Sequence, residues 1–477
     1  MHSLLTSLLL ACAPAPVTEV PKPPRADTLE GINAAPIWEH RDRNGAPVYR
    51  RGLGPIYEDV RLPDGRRRVA LRPLWSYEDM GRGREAQDYL WPLGMWRRNL
   101  ENEWRWYGLL WFTSDPVPGA GRSGTARWLM PIWFQGQYHS GGNYYGLFPV
   151  WGHIGDILGY DDIDFKLFPL RMTSRRAGAV TSSWLWPIFS STESPKEQAR
   201  RVFPFWLHSV RPGEREQTSI LWPFWHSGHS LDPKKPGEWY FFFPFYGRSS
   251  LPEQDSETWL WPFFADTEGE KHDRSAMPWP FNVTEESRGK NETVNTQWYW
   301  PFWMKTDSPS YHRRALLWPI CQWEDAQRKG GIQDSRFWLM PFWWSFDTKD
   351  KNGANIASYW QFWPLASQDS RGPASETKIL TLWPFRGDTA VQRNWAPLWT
   401  LWYSYQSPEK KRSDFLWGIY QHEEEVKSGR HATRIFPLIS WGGETAEGGD
   451  HSILLGLWAK EGRTRRLFWG ITWEAGK

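Results

Sequence analysis

Proline sits at the centre of almost every apolar segment of this chain, and it recurs there at a regular interval. Aligned on that residue, aromatic-Pro-aromatic cores occur at Pro92 (LWPLGMW), Pro131 (LMPIWF), Pro149 (LFPVWG), Pro169 (LFPLRM), Pro187 (LWPIFS), Pro204 (VFPFWL) and Pro223 (LWPFWH). They continue at Pro244, Pro262, Pro280, Pro301, Pro319, Pro341, Pro364 and Pro384. Weaker copies lie at Pro73, Phe112, Pro397 and Pro437, and three C-terminal copies carry Gly418, Gly456 or Gly470 where proline would be. The mean spacing from Pro73 to Gly470 is near 19 residues, which is the signature of a repeat array. Length alone would suggest about three domains. The continuity of the repeat replaces that division with a single β-repeat domain over residues 37–477, about 20 units of about 19 residues.

The cores are six to ten residues rich in Trp, Phe, Tyr and Leu, a composition that favours strand, and a proline inside each run opposes helix. Between them lie polar turn segments such as HSGHSLDPKKPGE and SFDTKDKNGAN. Each unit therefore reads as one long strand and one polar hairpin loop, a meander of about 20 antiparallel crossings. Proline cannot donate to a ladder, so a strand with proline at its middle must bend or change partners there. The expected fold is all-β: antiparallel hairpins, or petals, radiating from an aromatic and proline hub, each half-strand reaching about 20 Å outward. A transmembrane barrel is the competing fold, opposed by cores that are apolar on both faces and aromatic at mid-strand.

Composition narrows the function classes. The 38 Trp among 477 residues exclude a disordered chain, and no stretch approaches the length of a membrane-spanning helix. A net charge of +3 without a basic stripe gives no case for nucleic acid, and 2 Cys exclude a disulfide framework. At the N-terminus, MHSLLTSLLLAC carries a short apolar segment from Leu4 to Leu10 followed by Ala11 and Cys12, the outline of an export signal over residues 1–12, although no Lys or Arg precedes Leu4. A Pro-rich tether, residues 13–36, follows.

Two resemblances add to these readings. Leu9, Leu10, Ala11 and Cys12 resemble the lipobox of bacterial lipoproteins, which implies cleavage before Cys12 and acylation of its thiol, with Ala13 behind it as in outer-membrane lipoproteins. The Trp-Pro-Phe-like cores, with the lead-in RRGLGPIYEDVRLPDGRRRVALRPLWSYE, resemble the β-flower proteins, a bacterial family, over about residues 50–477. The family implies hairpin petals round a shallow, barrel-like centre, with a superficial similarity to tubby-like lipid-binding domains, and no established activity.

No catalytic constellation is recognisable, so an enzyme is not expected, and neither is a cofactor. His226 and His229 in WHSGH lack a third ligand in sequence and read as loop histidines. Asp156, Asp161, Asp162 and Asp164 lack the Gly and terminal Glu of a calcium loop and read as a turn before an edge strand. Glu423, Glu424 and Glu425 read as a solvated loop. The candidate ligand site is the hub: Trp186 and Pro187; Trp222, Pro223 and Phe224; Trp261, Pro262 and Phe263; Trp300, Pro301 and Phe302; Trp318 and Pro319; Trp383, Pro384 and Phe385. The expected function is that of a non-enzymatic, lipid-anchored envelope protein that holds a hydrophobic or lipid ligand at this Trp-rich centre, placed at the outer membrane facing the periplasm. The alternatives are a saccharide-binding module, for which Trp225, Trp303 and Trp344 would face solvent, and a passive scaffold whose variable loops make the contacts.

Overall fold

The computed structural model describes residues 29–474 except 31, 44–45, 63–64, 109, 120–123, 139–140, 158, 291, 428, 444–449, 455–456, 462–463 and 469. Cys12 and the tether lie outside the described residues, as does Gly456. The fold is predominantly β and antiparallel, with 47 strands among the described residues, mostly of five to seven residues and mostly joined by short hairpin connections. No helix among the described residues is long and apolar enough to cross a membrane.

The observed strands are the expected half-strands, and this corrects the reading of proline as a mid-strand bend. Ala179–Trp184 and Phe189–Glu193 pair with each other, Trp184 opposite Phe189, and the segment Leu185-Trp186-Pro187-Ile188 between them is the turn. The same holds for Ile220 opposite Trp225 around Pro223 and for Trp259 opposite Phe264 around Pro262. Proline interrupts the ladder because the chain reverses there, which puts two strands in each repeat and roughly doubles the expected number of crossings. Chain reversals thus alternate between an aromatic-Pro turn and a polar loop. In a meander this sends the former to one margin and the latter to the other, within residues 101–340. Some polar hairpins are two residues long, as at Ala177 and Gly178, where φ is 49° and 82° and the connection is of the type I′ kind.

The aromatic-Pro turns share one construction. In the four-residue form the leucine two places before proline has positive φ, 47° at Leu185, 48° at Leu221, 44° at Leu260 and 49° at Leu317. Its carbonyl accepts from the residue after proline, as in Phe224 N–H to Leu221 O at 2.8 Å. The peptide bond preceding proline is cis at Trp186–Pro187, Trp222–Pro223 and Trp261–Pro262, among others. Several turns also bond to the one before. Trp222 N–H donates to Pro204 O at 2.6 Å, Trp261 N–H to Pro244 O at 2.6 Å and Trp318 N–H to Pro301 O at 2.7 Å.

The strands fall into two compact units. In the unit of residues 101–340, a core of Phe134, Tyr144, Ile154 and Phe165 is packed by Trp128, Tyr138, Phe148 and Met172. Gly146 and Gly152 face each other across neighbouring strands, and a Cβ on Gly152 would lie 2.4 Å from the Gly146 Cα and 2.7 Å from the Phe165 ring. Glycine here makes room for Phe165.

The other unit comprises residues 1–100 and 341–477. It departs from the all-β expectation at two short helices, α1 (Thr389–Asn394) and α2 (Ala396–Trp399). Asp388 caps α1 through bonds from the Ala390 and Val391 N–H groups, both 3.1 Å, and Pro397 occupies the first turn of α2, where its missing N–H costs nothing. The weak copy at Pro397 is therefore a helix start instead of a strand core. Its neighbour Trp383-Pro384-Phe385 belongs to the irregular segment leading into α1 instead of a hairpin turn.

Candidate functional site

Five of the six hub segments proposed from sequence belong to residues 101–340, and the meander brings them to the same margin. Trp186-Pro187, Trp222-Pro223-Phe224, Trp261-Pro262-Phe263 and Trp318-Pro319 lie in four-residue turns, and Trp300-Pro301-Phe302 in a three-residue one. The residues preceding proline in successive turns touch: Phe168 and Trp186 at 5.6 Å between ring centroids, Phe203 and Trp222 at 5.4 Å, Phe243 and Trp261 at 5.7 Å. The residues following proline, Ile188, Phe224, Phe263, Phe302 and Ile320, are exposed. Phe302 is 66% exposed and Trp222 52%, with Phe224, Phe263 and Trp261 somewhat less exposed, whereas Trp300 and Trp318 are half-buried. The sixth segment lies in the other unit, where Trp383 and Phe385 pack edge to face at 5.7 Å and Trp383 O accepts from Gln361 Nε2 at 2.7 Å.

Beside the turns runs a second set of rings that the repeat alone did not single out. In the ten strands from Ala179–Trp184 to Phe264–Gly269, the strand residue bordering each turn is directly opposite its counterpart on both neighbours. The sequence runs Trp184, Phe189, Val202 and Trp206, then Ile220, Trp225 and Phe242, then Tyr246, Trp259 and Phe264. Side chains at such positions share one face of the sheet. Trp184 is 55% exposed and Trp225 38%, so solvent-facing aromatics line this face as well as the margin. Trp303 and Trp344 are half-buried.

Two residues further from the turns, on the same face, the register aligns a row of opposite character: Ser191, Arg200, His208, Thr218, Ser227 and Arg248 among its members. His208 Nδ1 lies 3.1 Å from Thr218 Oγ1. Reading outward from each proline at a period of two would have identified both rows, once proline is known to mark a turn.

Acidic and histidine residues fall differently from the expectation. Tyr160–Lys166 is paired on both sides, so it is not an edge strand. His153, Asp162 and Asp164 put one ligand atom each within 4.8 Å of one another. His153 Nδ1 is bonded to Asp164, and Arg175 Nη1 donates to Asp162 at 2.7 Å and Asp164 at 3.1 Å, so a cation would displace a guanidinium already bound there. His226 and His229 are three residues apart on a strand and face opposite ways: His226 Nδ1 meets Ser219 Oγ at 2.7 Å, and His229 approaches Glu216 at 3.8 Å. Burial pushes the His226 pKa down.

Glu423 is the largest correction, because it is not on a solvated loop. It lies in the strand Tyr420–Glu425 and pairs with Arg41 at 2.8 Å, Arg412 at 3.1 Å and Lys410 at 3.4 Å. Glu39, 0% exposed, accepts from Arg41 Nε at 2.9 Å and approaches Arg412 Nη2 at 3.4 Å, while Arg412 Nη2 donates to Asp414 at 2.9 Å. Burial pushes the Glu39 carboxyl up, but Arg412 and Arg41 outweigh it and bring it to about 2. Glu423 is likewise raised by burial and lowered further by Arg41, Arg412 and Lys410, ending below the usual carboxylate range. Burial also pushes the Tyr49 and Tyr403 hydroxyls up. A second cluster docks α1: Arg393 donates to Asp88, to Glu78 at 2.6 Å and to Ser76 at 3.1 Å, and Asn394 donates to Asp88 at 2.7 Å. These carboxylates are paired with arginines, which makes both clusters clasps within the unit of residues 1–100 and 341–477. Comparison with known proteins matches the chain to no family model and to no curated protein.

Proposed function

We propose that this chain is a non-enzymatic, lipid-anchored protein of a bacterial envelope, tethered through an acylated Cys12 at the outer membrane on its periplasmic side, that meets a hydrophobic or lipid ligand with its aromatic-Pro turns. The supporting observation is the succession of exposed Trp and Phe side chains along one margin of residues 101–340. A soluble protein ordinarily exposes apolar patches of only a few hundred Å², and larger continuous ones belong to interaction surfaces. On the finer architecture, the bonded turns serve as the hub and the hairpins beyond them as the petals of a β-flower.

The test has two arms. Metabolic labelling with an alkyne fatty acid in a Gram-negative host should mark the wild-type chain and leave Cys12→Ser unmarked. Titration of the purified protein with phospholipid vesicles should change Trp fluorescence, and Phe224→Ser, Phe263→Ser and Phe302→Ser together should abolish the change. Vesicles that leave wild-type fluorescence unaltered would overturn the lipid reading.

A further inference from the structure

We infer that the sheet face of residues 179–269 is a binding surface for an extended, β-linked polysaccharide lying across the strands. This site is separate from the turn margin invoked above and adds a second ligand class to it.

The inference rests on the register. A pyranose ring is amphipathic in a particular way: its axial C–H groups make an apolar face, and its hydroxyls lie round the rim. A site for it needs an aromatic ring for the face and donors and acceptors displaced to one side. The two rows on this sheet have that arrangement. Trp184, Trp206, Trp225 and Trp259 belong to the aromatic row, and Arg200, His208, Thr218 and Ser227 to the polar one. The rows run parallel, about 7 Å apart for two residues of extended chain. Ten strands at about 4.8 Å give the rows a run of about 40 Å, long enough for a chain of several sugars and far more than one ring needs. Trp225 stacks on Tyr240 at 6.3 Å and Trp206 on His208 at 6.0 Å, both within 20° of parallel, so rings of one row are braced by rings of the other.

The same chemistry disfavours an acyl chain here. A hydrocarbon laid along the aromatic row would strip water from Arg200, Arg248 and Glu257 without offering them a hydrogen bond. A β-linked polymer is chosen over a coiled α-linked one because its extended ribbon keeps successive rings in register with a straight row of side chains.

Affinity electrophoresis through gels containing soluble hydroxyethylcellulose, peptidoglycan glycan strands or amylose tests this directly. Retardation by either β-linked polymer and not by amylose is expected. Trp225→Ala and Trp206→Ala should each weaken it about tenfold, Trp225→Phe should retain most of it, and near-ultraviolet circular dichroism should show the variants folded. The triple turn variant Phe224→Ser, Phe263→Ser, Phe302→Ser should be retarded like wild type, which separates this site from the lipid reading. No retardation of the folded wild-type protein in any gel, or retardation unchanged in Trp206→Ala and Trp225→Ala, would overturn the inference. So would vesicle binding that depends on Trp206 and Trp225.

Discussion

Replacing Glu39 by Gln removes one negative charge from the ion cluster of residues 1–100 and 341–477 while keeping the side chain's shape. The structure sets the size of the effect. Glu39 is fully buried, and its loss leaves Arg41 with Glu423 alone and Arg412 with Asp414 and Glu423, in a cluster that also holds Lys410. Breaking a buried pair by neutralising one partner costs about 3–5 kcal/mol, because the charge left behind stays out of water. An independent route gives the same scale: a carboxyl brought from 4.5 to about 2 in the folded state corresponds to about 3 kcal/mol.

The sign with pH follows from the lowered value. Glu39 contributes its full stabilisation above the unfolded value of 4.5 and loses it as pH falls from there towards 2. Glu423, also lowered, adds to the loss over the same direction of pH. Urea unfolding, followed by hydrogen exchange in Trp38–Arg43 and Lys410–Phe415, should show Glu39→Gln less stable by about 3–5 kcal/mol at pH 7. The difference from wild type should shrink as the solution is acidified below pH 4.5. A loss under about 1 kcal/mol, the level of a solvent-exposed pair, or a difference that does not shrink in acid, would refute the reasoning.

Three further outcomes are expected. Arg393→Met leaves Asp88 with Arg97 and the Asn394 amide and leaves Glu78 with Arg68, so hydrogen exchange in α1 should accelerate and stability fall by about 3 kcal/mol. Gly155→Ala places a Cβ 1.7 Å from the Tyr138 ring, and displacing that ring should lower stability by about 1–3 kcal/mol, read as a reduced melting temperature. Arg175→Ala releases Asp162 and Asp164 beside His153, and calorimetric titration with manganous ion should show tighter binding than in wild type.

The repeat and the strand class were legible because they rest on local pattern: proline inside an aromatic run excludes helix and a continuous ladder wherever it occurs. What proline at position 187 does to the chain was not legible in that pattern. A bend and a reversal both interrupt the ladder, and the difference is whether Trp184, which pairs with Arg171 of the preceding unit, also pairs with Phe189 across the proline, which no local rule decides. The positive φ at Leu185 gives the turn no warning either, since leucine is not a residue that ordinarily announces a left-handed backbone. Once the reversal is known, the rest is arithmetic on strand periodicity: Trp184 and Phe189 must share a face, and so must every bordering residue down the meander. The ion clusters were hidden for a different reason. Arg41 and Glu423 meet across a separation of 382 positions, so EEE in sequence has only its own neighbours to be read against, and those are polar. Both kinds of concealment have one origin: a repeat fixes what each unit does locally, while function and stability at the exceptions depend on which distant unit lies opposite. The exceptions, α1 with Asp388 at its cap and Pro397 at the start of α2, carried ordinary helix signals that the surrounding repeat outvoted. In an array of this kind, a copy that breaks the pattern is therefore the first place to look for a contact that the pattern cannot supply.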